Sequence, residues 1–544
     1  MKLKKDSTEQ KLRGAYYTPL QLANAIVELF AAENINKVLE PSCGDGVFLD
    51  SMREQHLLEK VSILTAVELD VAEAKKVRNK YNSQKNVDVI NDDFFNFYDQ
   101  NVDNNHYDLI VGNPPYIRYQ YLTDSQRESL STILTSHGMK SNKLINAWVG
   151  FLVACTHMLN DTGRIAFVVP AEILQVAYAE ELRLFLSNQF SRITLITFEK
   201  LVFPEIEQEV LVFIGEKGGE EKGIRIIEMS DLNGFYTLDI HSNGYQKMQH
   251  VKEKWTKYFT SSEEIKVIQK IKNDARFAPF ADFGMINIGV TTGHNDYFSI
   301  DKDTCEKYEL DDVALPLIGR SSHAHGIYFT NADWIKNVEE GKKARLIVFP
   351  SKVLEQYPSK HIEYIKLGEQ NRVNLGYKCS IRGQWYVVPS IWVPDAFFLR
   401  RNNLYPKFVL NRCGAISTDT MHRMKLNEDV DAEILLLSYY NSISFAFTEI
   451  CGRSYGGGVL EILPGEMGNI MLPIIREFPA KKKKELLEKI DTVVRQDGNI
   501  EEALDLVDEI VLIKHMGLER ELCLSCRRIW KKLQSRRLGR GEIK

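Results

Sequence analysis

The feature that most constrains this chain is the run Asp108-Leu109-Ile110-Val111-Gly112-Asn113-Pro114-Pro115-Tyr116. The apolar triplet Leu109 to Val111 reads as a short buried strand. The strand has to end near Gly112. Each following proline fixes its own φ and lacks an N–H donor, and each pushes the residue before it towards extended geometry. The outcome is a stiff loop at the carboxyl end of a strand. On its plainest reading it is a proline-rich turn in which Asn113 is a turn former. Its chemical reading starts from a planar amine whose lone pair is delocalised. Two acceptors aimed at the two N–H bonds, the Asn113 side-chain oxygen and the Pro114 carbonyl, favour the change towards sp³ geometry as positive charge develops. Tyr116 supplies an aromatic platform for the ring that carries the amine.

The upstream sequence repeats the pattern of a short strand ending in a polar group. Lys37 to Leu39 is a strand that ends in Glu40 and runs into the turn Pro41-Ser42-Cys43-Gly44-Asp45-Gly46 and then a helix. In an open parallel sheet, this first strand–turn–helix is where a nucleotide-like ligand approaches the backbone. The turn is neither a G-x-G-x-x-G nor a phosphate loop, and Glu40 suits a ligand with a cationic end. Ser62 to Val67 ends in Glu68, which lies 24 residues past Gly44. That is about where a doubly wound fold places the acid that holds ribose hydroxyls, roughly 20 residues on. Val87 to Ile90 leads to Asp93, placed to accept from an adenine amino group, and Phe94, placed to pack on its ring. Before all of these, Thr18-Pro19 reads as an N-cap and first helical residue for Leu20 to Ala32. Each acid alone is more often a solvated strand end. Glu40, Glu68, Asp93 and Asn113 in order, all at carboxyl ends, make a site.

Thr18-Pro19, Glu-Pro-x-Cys-Gly-x-Gly, Glu68, Asp93-Phe94 and Asn-Pro-Pro-Tyr resemble, in that order, the motifs of S-adenosylmethionine-dependent DNA amino-methyltransferases. The order is similar to the gamma class, typified by the TaqI-type adenine enzymes. The match covers roughly residues 14 to 240 in motif detail. The resemblance implies S-adenosylmethionine as cofactor, held by Thr18, Glu40, Cys43, Gly44, Glu68, Asp93, Phe94 and Pro115. It implies Asn113, Pro114 and Tyr116 as the catalytic loop. Tyr116 and Phe203 (in Leu201-Val202-Phe203-Pro204) would stack on an adenine flipped out of the duplex. The sequence departs from the pattern after Phe203, where Glu205 to Glu209 is acidic and related enzymes can carry a lysine. No metal is expected, since the sulfonium is already activated. The implied activity is N6-methylation of adenine at a specific duplex sequence, in the cytoplasm of a prokaryote, by a monomer functionally paired with a restriction endonuclease. The alternatives are cytosine N4 as target, an RNA amine or protein glutamine, and a bifunctional restriction–modification nuclease. Too little chain precedes Gly14 for a nuclease domain in the sequence as it stands.

A chain of 544 residues is too long for one core. The expected class is α/β: a Rossmann-like methyltransferase domain over 1–245, an α+β DNA target-recognition domain over 246–475, and a helical, basic tail over 476–544. Gly215 to Gly223 is read as a hairpin near the end of the first domain. The longest apolar runs are far shorter than a membrane span, and Cys523-x-x-Cys526 alone is a weak zinc signal. Net charge is −5, but its distribution matters more than the total. From Asn371 to Lys425 there are nine Lys/Arg against two acids, interleaved with eight aromatics, and from Lys514 to Lys544 ten against three. Arg, Asn and Gln pair bidentately with base edges. Arg382, Arg400, Arg401 and Arg412, with Asn402, Asn403 and Asn411, are therefore the candidate DNA readers, and Gly289 to Phe298 resembles the opening of a TaqI-type specificity domain. The tail around Arg527, Arg528, Lys531, Lys532, Arg536 and Arg537 is either a phosphate contact or a solvated helix.

Overall fold

The computed structural model describes residues 17–141, 145–199, 209–219, 222–240, 242, 244–248, 253–455, 458–496 and 498–539. Phe203 and its neighbours 200–208 lie outside the described residues, as does the start of the motif that ends in Thr18-Pro19. Two compact units divide the chain, one up to Ser261 and one from Ser262 on.

The first unit is an α/β layer built on one sheet. In chain order the elements are α1 (Leu20–Glu28), β1 (Lys37–Glu40), α2 (Val47–Glu54), β2 (Ile63–Glu68), α3 (Val71–Lys80), β3 (Val87–Asn91), α4 (Phe94–Asn101) and β4 (Tyr107–Gly112). Then follow α5 (Asp124–Ser136), α6 (Ala147–His157), β5 (Leu159–Pro170), α7 (Glu180–Gln189), β6 (Arg192–Phe198), β7 (Val210–Glu216), β8 (Gly223–Met229) and β9 (Gln246–Lys247). The strand order is β3-β2-β1-β4-β5-β7-β6-β8-β9. Strands β1 to β5 run parallel, so the carboxyl ends of β1 to β4 share one edge of the sheet. Continuous apolar strands such as Leu109 to Val111 follow from burial on both faces. Helix α6 is apolar all round and buried along nearly its whole length, as a helix inside a core should be. The expected α/β class is borne out.

Two local expectations are corrected. Gly215 to Gly223 is not a hairpin: β7 inserts antiparallel between β5 and β6, and β8 runs parallel to β6 on its other side. Thr18 does not cap α1. The cap position is Pro19, whose carbonyl accepts from the Leu22 and Ala23 N–H groups, and no side chain caps the helix.

The second unit mixes short sheets with helices. Its main sheet combines β10 (Gly284–Ile288), β11 (Tyr328–Phe329), β12 (Ala396–Leu399), β13 (Phe408–Asn411) and β14 (Met421–Leu426), in the order β10-β14-β12-β13-β11. Helices α8 (Ala432–Tyr439), α9 (Ser442–Cys451), α10 (Ala480–Arg495), α11 (Ile500–Val507) and α12 (Arg520–Gly539) follow. Phe280, Phe398, Phe408, Tyr439, Phe445 and Trp530 meet in their shared core. Among the described residues no single helix is long and apolar enough to cross a membrane, and the bent apolar pair α8–α9 is buried in this core.

The helix of the basic tail packs one face on the core, and five of its named cations are paired within the unit while Arg528, Lys531 and Lys532 stay partly exposed. Arg537 is buried against Glu449 at 2.8 Å and also donates to the carbonyls of Asn403 and Gly458. Arg527 binds Ser442 and Asp508, Arg528 binds Glu521, Lys531 binds Glu501, and Lys532 binds Glu264. Trp530, Cys523 and Cys526 face inward. Arg527, Arg528, Lys531, Lys532 and Arg537 are thus each met by an acid of the same unit.

Candidate functional site at the carboxyl ends of the first four strands

Parallel register puts Glu40 opposite Ala66 and Glu68 opposite Asn91, so β1, β2 and β3 deliver their terminal polar groups side by side. The β1–α2 turn passes through Gly44 at φ +53° and Gly46 at φ +84°, left-handed values that glycine adopts without strain. Space is also short there. A Cβ on Gly46 would lie 3.1 Å from Val77, and one on Gly44 would lie 3.3 Å from the ring of Tyr17. Glu68 shapes this turn. Its two carboxylate oxygens accept from the Gly44 N–H at 2.8 Å and the Asp70 N–H at 2.7 Å. Burial raises its pKa, and those two hydrogen bonds oppose the shift.

Glu40 is 1% exposed, and its Oε2 has no hydrogen-bond partner among the described residues. Burial, then the charges of Asp45, Glu68 and Asp50, pushes its carboxyl well above the usual range. Buried acids clustered this closely leave a deficit of positive charge. Cys43 is buried beside them and its N–H donates to Val67 O at 2.9 Å. Burial and the charges of Glu40 and Glu68 push its thiol up, as for a buried cysteine in acidic surroundings. Thr18 is buried as well.

Asp93 caps α4 by accepting from the Phe95 N–H at 2.8 Å. Its other oxygen accepts from Gln126 Nε2 at 2.7 Å. Gln126 is itself fixed by a reciprocal capping box with Thr123 at the start of α5. The Thr-x-x-Gln signal is visible in sequence, but its link to Asp93 is tertiary and was missed. Phe94 is 3% exposed and stacks on Phe151 at 4.5 Å, so nearly all of its ring is committed to the core. Tyr17, the other aromatic at the turn, was also missed; it is 43% exposed and packs over Gly44.

The β4 loop joins this edge directly. The Ser42 hydroxyl donates to the Asn113 carbonyl at 3.4 Å, tying the loop after β4 to the loop after β1. Asn113 and Pro115 are half-buried and Pro114 is buried. The Tyr116 hydroxyl donates to Val168 O on β5 at 3.1 Å, which fixes the ring relative to the sheet. The structure therefore brings Glu40, Cys43, Gly44, Glu68, Asp93, Asn113, Pro114, Pro115 and Tyr116 to one edge.

In the second unit the four candidate arginines are all engaged within the unit. Arg382 donates to the carbonyls of Thr292 at 2.7 Å and Thr291 at 3.1 Å. Arg400 and Arg401 share Glu461, at 3.0 and 3.3 Å, and Arg412 meets Glu433 at 3.2 Å. Arg401 is the most exposed of them, its side chain 70% accessible. Asn402 is buried and holds Leu399 O and the Lys407 N–H, and Asn411 holds Pro394 and Ala415. These two asparagines form turns, so the expectation that they read bases is withdrawn.

The Eco57I restriction-modification methylase family matches residues 47–203, and the C-terminal domain family of type II methyltransferase M.Eco57I matches residues 252–512. The type II methyltransferase M.AccI of Acinetobacter calcoaceticus is 24% identical over 527 residues, covering 92% of this chain and 93% of that protein. M.HindII of Haemophilus influenzae is 26% identical over 322 residues, 56% of this chain and 58% of its own. Among solved structures, the type IIG restriction endonuclease BpuSI is 15% identical, covering 97% of this chain and 67% of that one at a TM-score of 0.41.

Proposed function

We propose that this chain, similar over residues 47–203 and 252–512 to the Eco57I methyltransferase families and along most of its length to M.AccI, transfers a methyl group from S-adenosylmethionine to N6 of adenine at a specific duplex sequence. The carrying observation is the edge where buried Glu40, the Glu68-bound Gly44 turn and the Asn113-Pro114-Pro115-Tyr116 loop meet. The cofactor fits these residues. A buried carboxyl with an unmet oxygen in an acidic cluster calls for a cation, and the cofactor carries an ammonium and a sulfonium. The turn at Gly44 admits close backbone approach. When bound, the cofactor supplies a methyl group already activated on sulfur.

The residues divide the remaining work. Glu40 would hold the cationic end. Glu68, whose carboxylate already fixes the turn, offers its remaining lone pairs to ribose hydroxyls. Asp93, oriented by Gln126, would accept from the cofactor adenine. The Asn113 side-chain oxygen and the Pro114 carbonyl would accept from the target amine, and these contacts strengthen as charge develops on nitrogen. Tyr116, held by Val168, supplies one stacking face for the extruded base, with Phe203 as the candidate for the other. Loss of target stacking and pairing is met by these contacts. The second unit would read the sequence, with Arg401 the candidate best placed by exposure. A restriction endonuclease of the same specificity is the expected functional partner.

The test is transfer of labelled methyl groups from the cofactor to duplex DNA by the purified chain, followed by digestion to nucleosides. Label in N6-methyladenine supports the reading. Label in N4-methylcytosine overturns the choice of base, and no label in DNA overturns the function.

A further inference from the structure

The second unit exposes an apolar cluster that its core does not use. Between buried Val373 and Cys379 the chain passes through the short turn Val373–Leu375 and the short helix Tyr377–Ser380. Leu375 is 61% exposed, Tyr377 75% and Ile381 63%. Tyr377 and Ile381 are four residues apart, which sets them on one side of that helical turn. Of the eight aromatics in the basic stretch, Tyr386, Phe397, Phe398, Tyr405 and Phe408 are buried, and Tyr377 is the one turned most fully outward.

The corner is anchored from beneath. A Cβ on Gly293, at φ +89°, would stand 2.9 Å from Lys378 Cβ and 3.0 Å from Cys379 Sγ, so the Thr291–Gly293 loop packs directly under it. Arg382 clamps the same loop through the Thr291 and Thr292 carbonyls. Arg372 leads into the corner at φ +59°, a left-handed value that is uncommon for a bulky residue. Contiguous exposed apolar side chains mark interaction surfaces. The charge of the segment itself points to the partner: from Asn371 to Gln384 there are Arg372, Lys378 and Arg382 and no acid, the nearest before it being Glu369, and Arg372 and Lys378 are exposed.

Resting on the DNA-methyltransferase reading, we propose that Leu375, Tyr377 and Ile381 form an apolar wedge that presses on the base and sugar edges of the bound duplex, while Arg372 and Lys378 hold the flanking phosphates. Apolar side chains used this way unstack base steps and bend the duplex, and cations on phosphate fix position without reading sequence.

The experiment measures binding of the full-length protein to a labelled duplex across a salt series, for wild type, Tyr377→Ala/Ile381→Ser and Lys378→Ala. Thermal melting confirms that each variant is folded, which the exposure of these side chains favours. The double variant should bind about 5- to 150-fold more weakly, the range for loss of base–aromatic contact, with an unchanged salt slope. Lys378→Ala should lower the slope by about one. Wild-type affinity in the double variant overturns the wedge while leaving the function standing. So does wild-type affinity together with loss of a wild-type dimer in sedimentation, which assigns the patch to a second copy of the chain. A wild-type protein that binds no duplex at any salt overturns both readings.

Discussion

Replacing Glu40 by glutamine separates stability from cofactor binding, because the two should move in opposite directions. The side chain is buried with one oxygen unmet, and burial and the neighbouring acids raise its pKa well above the ordinary 4.5. A carboxyl whose folded pKa lies above its unfolded value contributes stability that is full below the unfolded value and is lost as pH rises through the folded one. The wild-type melting temperature should therefore fall across that window. Glu40→Gln keeps the shape without the titration, so its melting temperature should stay flatter there and match or exceed wild type at neutral pH. Raised Glu68 and Asp45 in the same cluster leave a residual slope of the same sign. Cofactor affinity should drop, because a hydrogen bond to a charged group is worth about 1.5–3 kcal/mol, or roughly 10- to 150-fold in Kd. A cation binding the ionised carboxyl lowers its pKa in the complex, so binding should also release a proton at pH values between the bound and the free folded pKa, and wild-type affinity rises with pH in that range. Calorimetry in buffers of different ionisation enthalpy reads both the affinity and the proton. Equal affinity and equal proton release in wild type and Glu40→Gln would refute the assignment of Glu40 to the cationic end.

Asn113→Ala should lower turnover by on the order of 10²–10³ through loss of one preorganised acceptor, with cofactor affinity by calorimetry near wild type. Gln126→Ala should weaken cofactor binding by about 2- to 10-fold, through loss of a net hydrogen-bond contribution of about 0.5–1.5 kcal/mol at Asp93; an analogue lacking the adenine amino group should bind both forms equally. Arg537→Ala leaves Glu449 buried without its 2.8 Å partner, and denaturant unfolding should show a loss of about 3–5 kcal/mol. Arg401→Ala should cost about 1–3 kcal/mol on the cognate duplex and relax specificity at one base pair, as read by competition among single-substitution duplexes.

What was legible in the sequence was local. Strand ends at Glu40, Glu68, Asn91 and Gly112 follow from apolar runs meeting turn residues, and Gly44 and Asn113-Pro114-Pro115 announce their own backbone constraints. The failures came where distant segments decide. Gly215 to Gly223 has hairpin composition, yet β7 pairs with β5 and β6, a choice set by strand pairing across the open sheet and not by the turn. Thr18 has cap chemistry, but the helix begins one residue later, at a terminus where Pro19 supplies the first accepting carbonyl. Arg527 and Arg537 read as free charge because their partners, Asp508 and Glu449, lie 19 and 88 residues away. Asn402 and Asn411 have base-reading side chains but spend them on their own turns. Gln126 stands in a Thr-x-x-Gln capping box with Thr123, and only the fold brings it to Asp93.

The central claim is tested most directly by base-resolved mapping of modified nucleotides in DNA from cells that express the chain and lack other methyltransferases. N6-methyladenine confined to one short sequence motif, and absent when Asn113→Ala replaces the wild type, is the predicted result. Methylation on cytosine N4, adenine methylation without sequence preference, or a pattern that survives Asn113→Ala would contradict it.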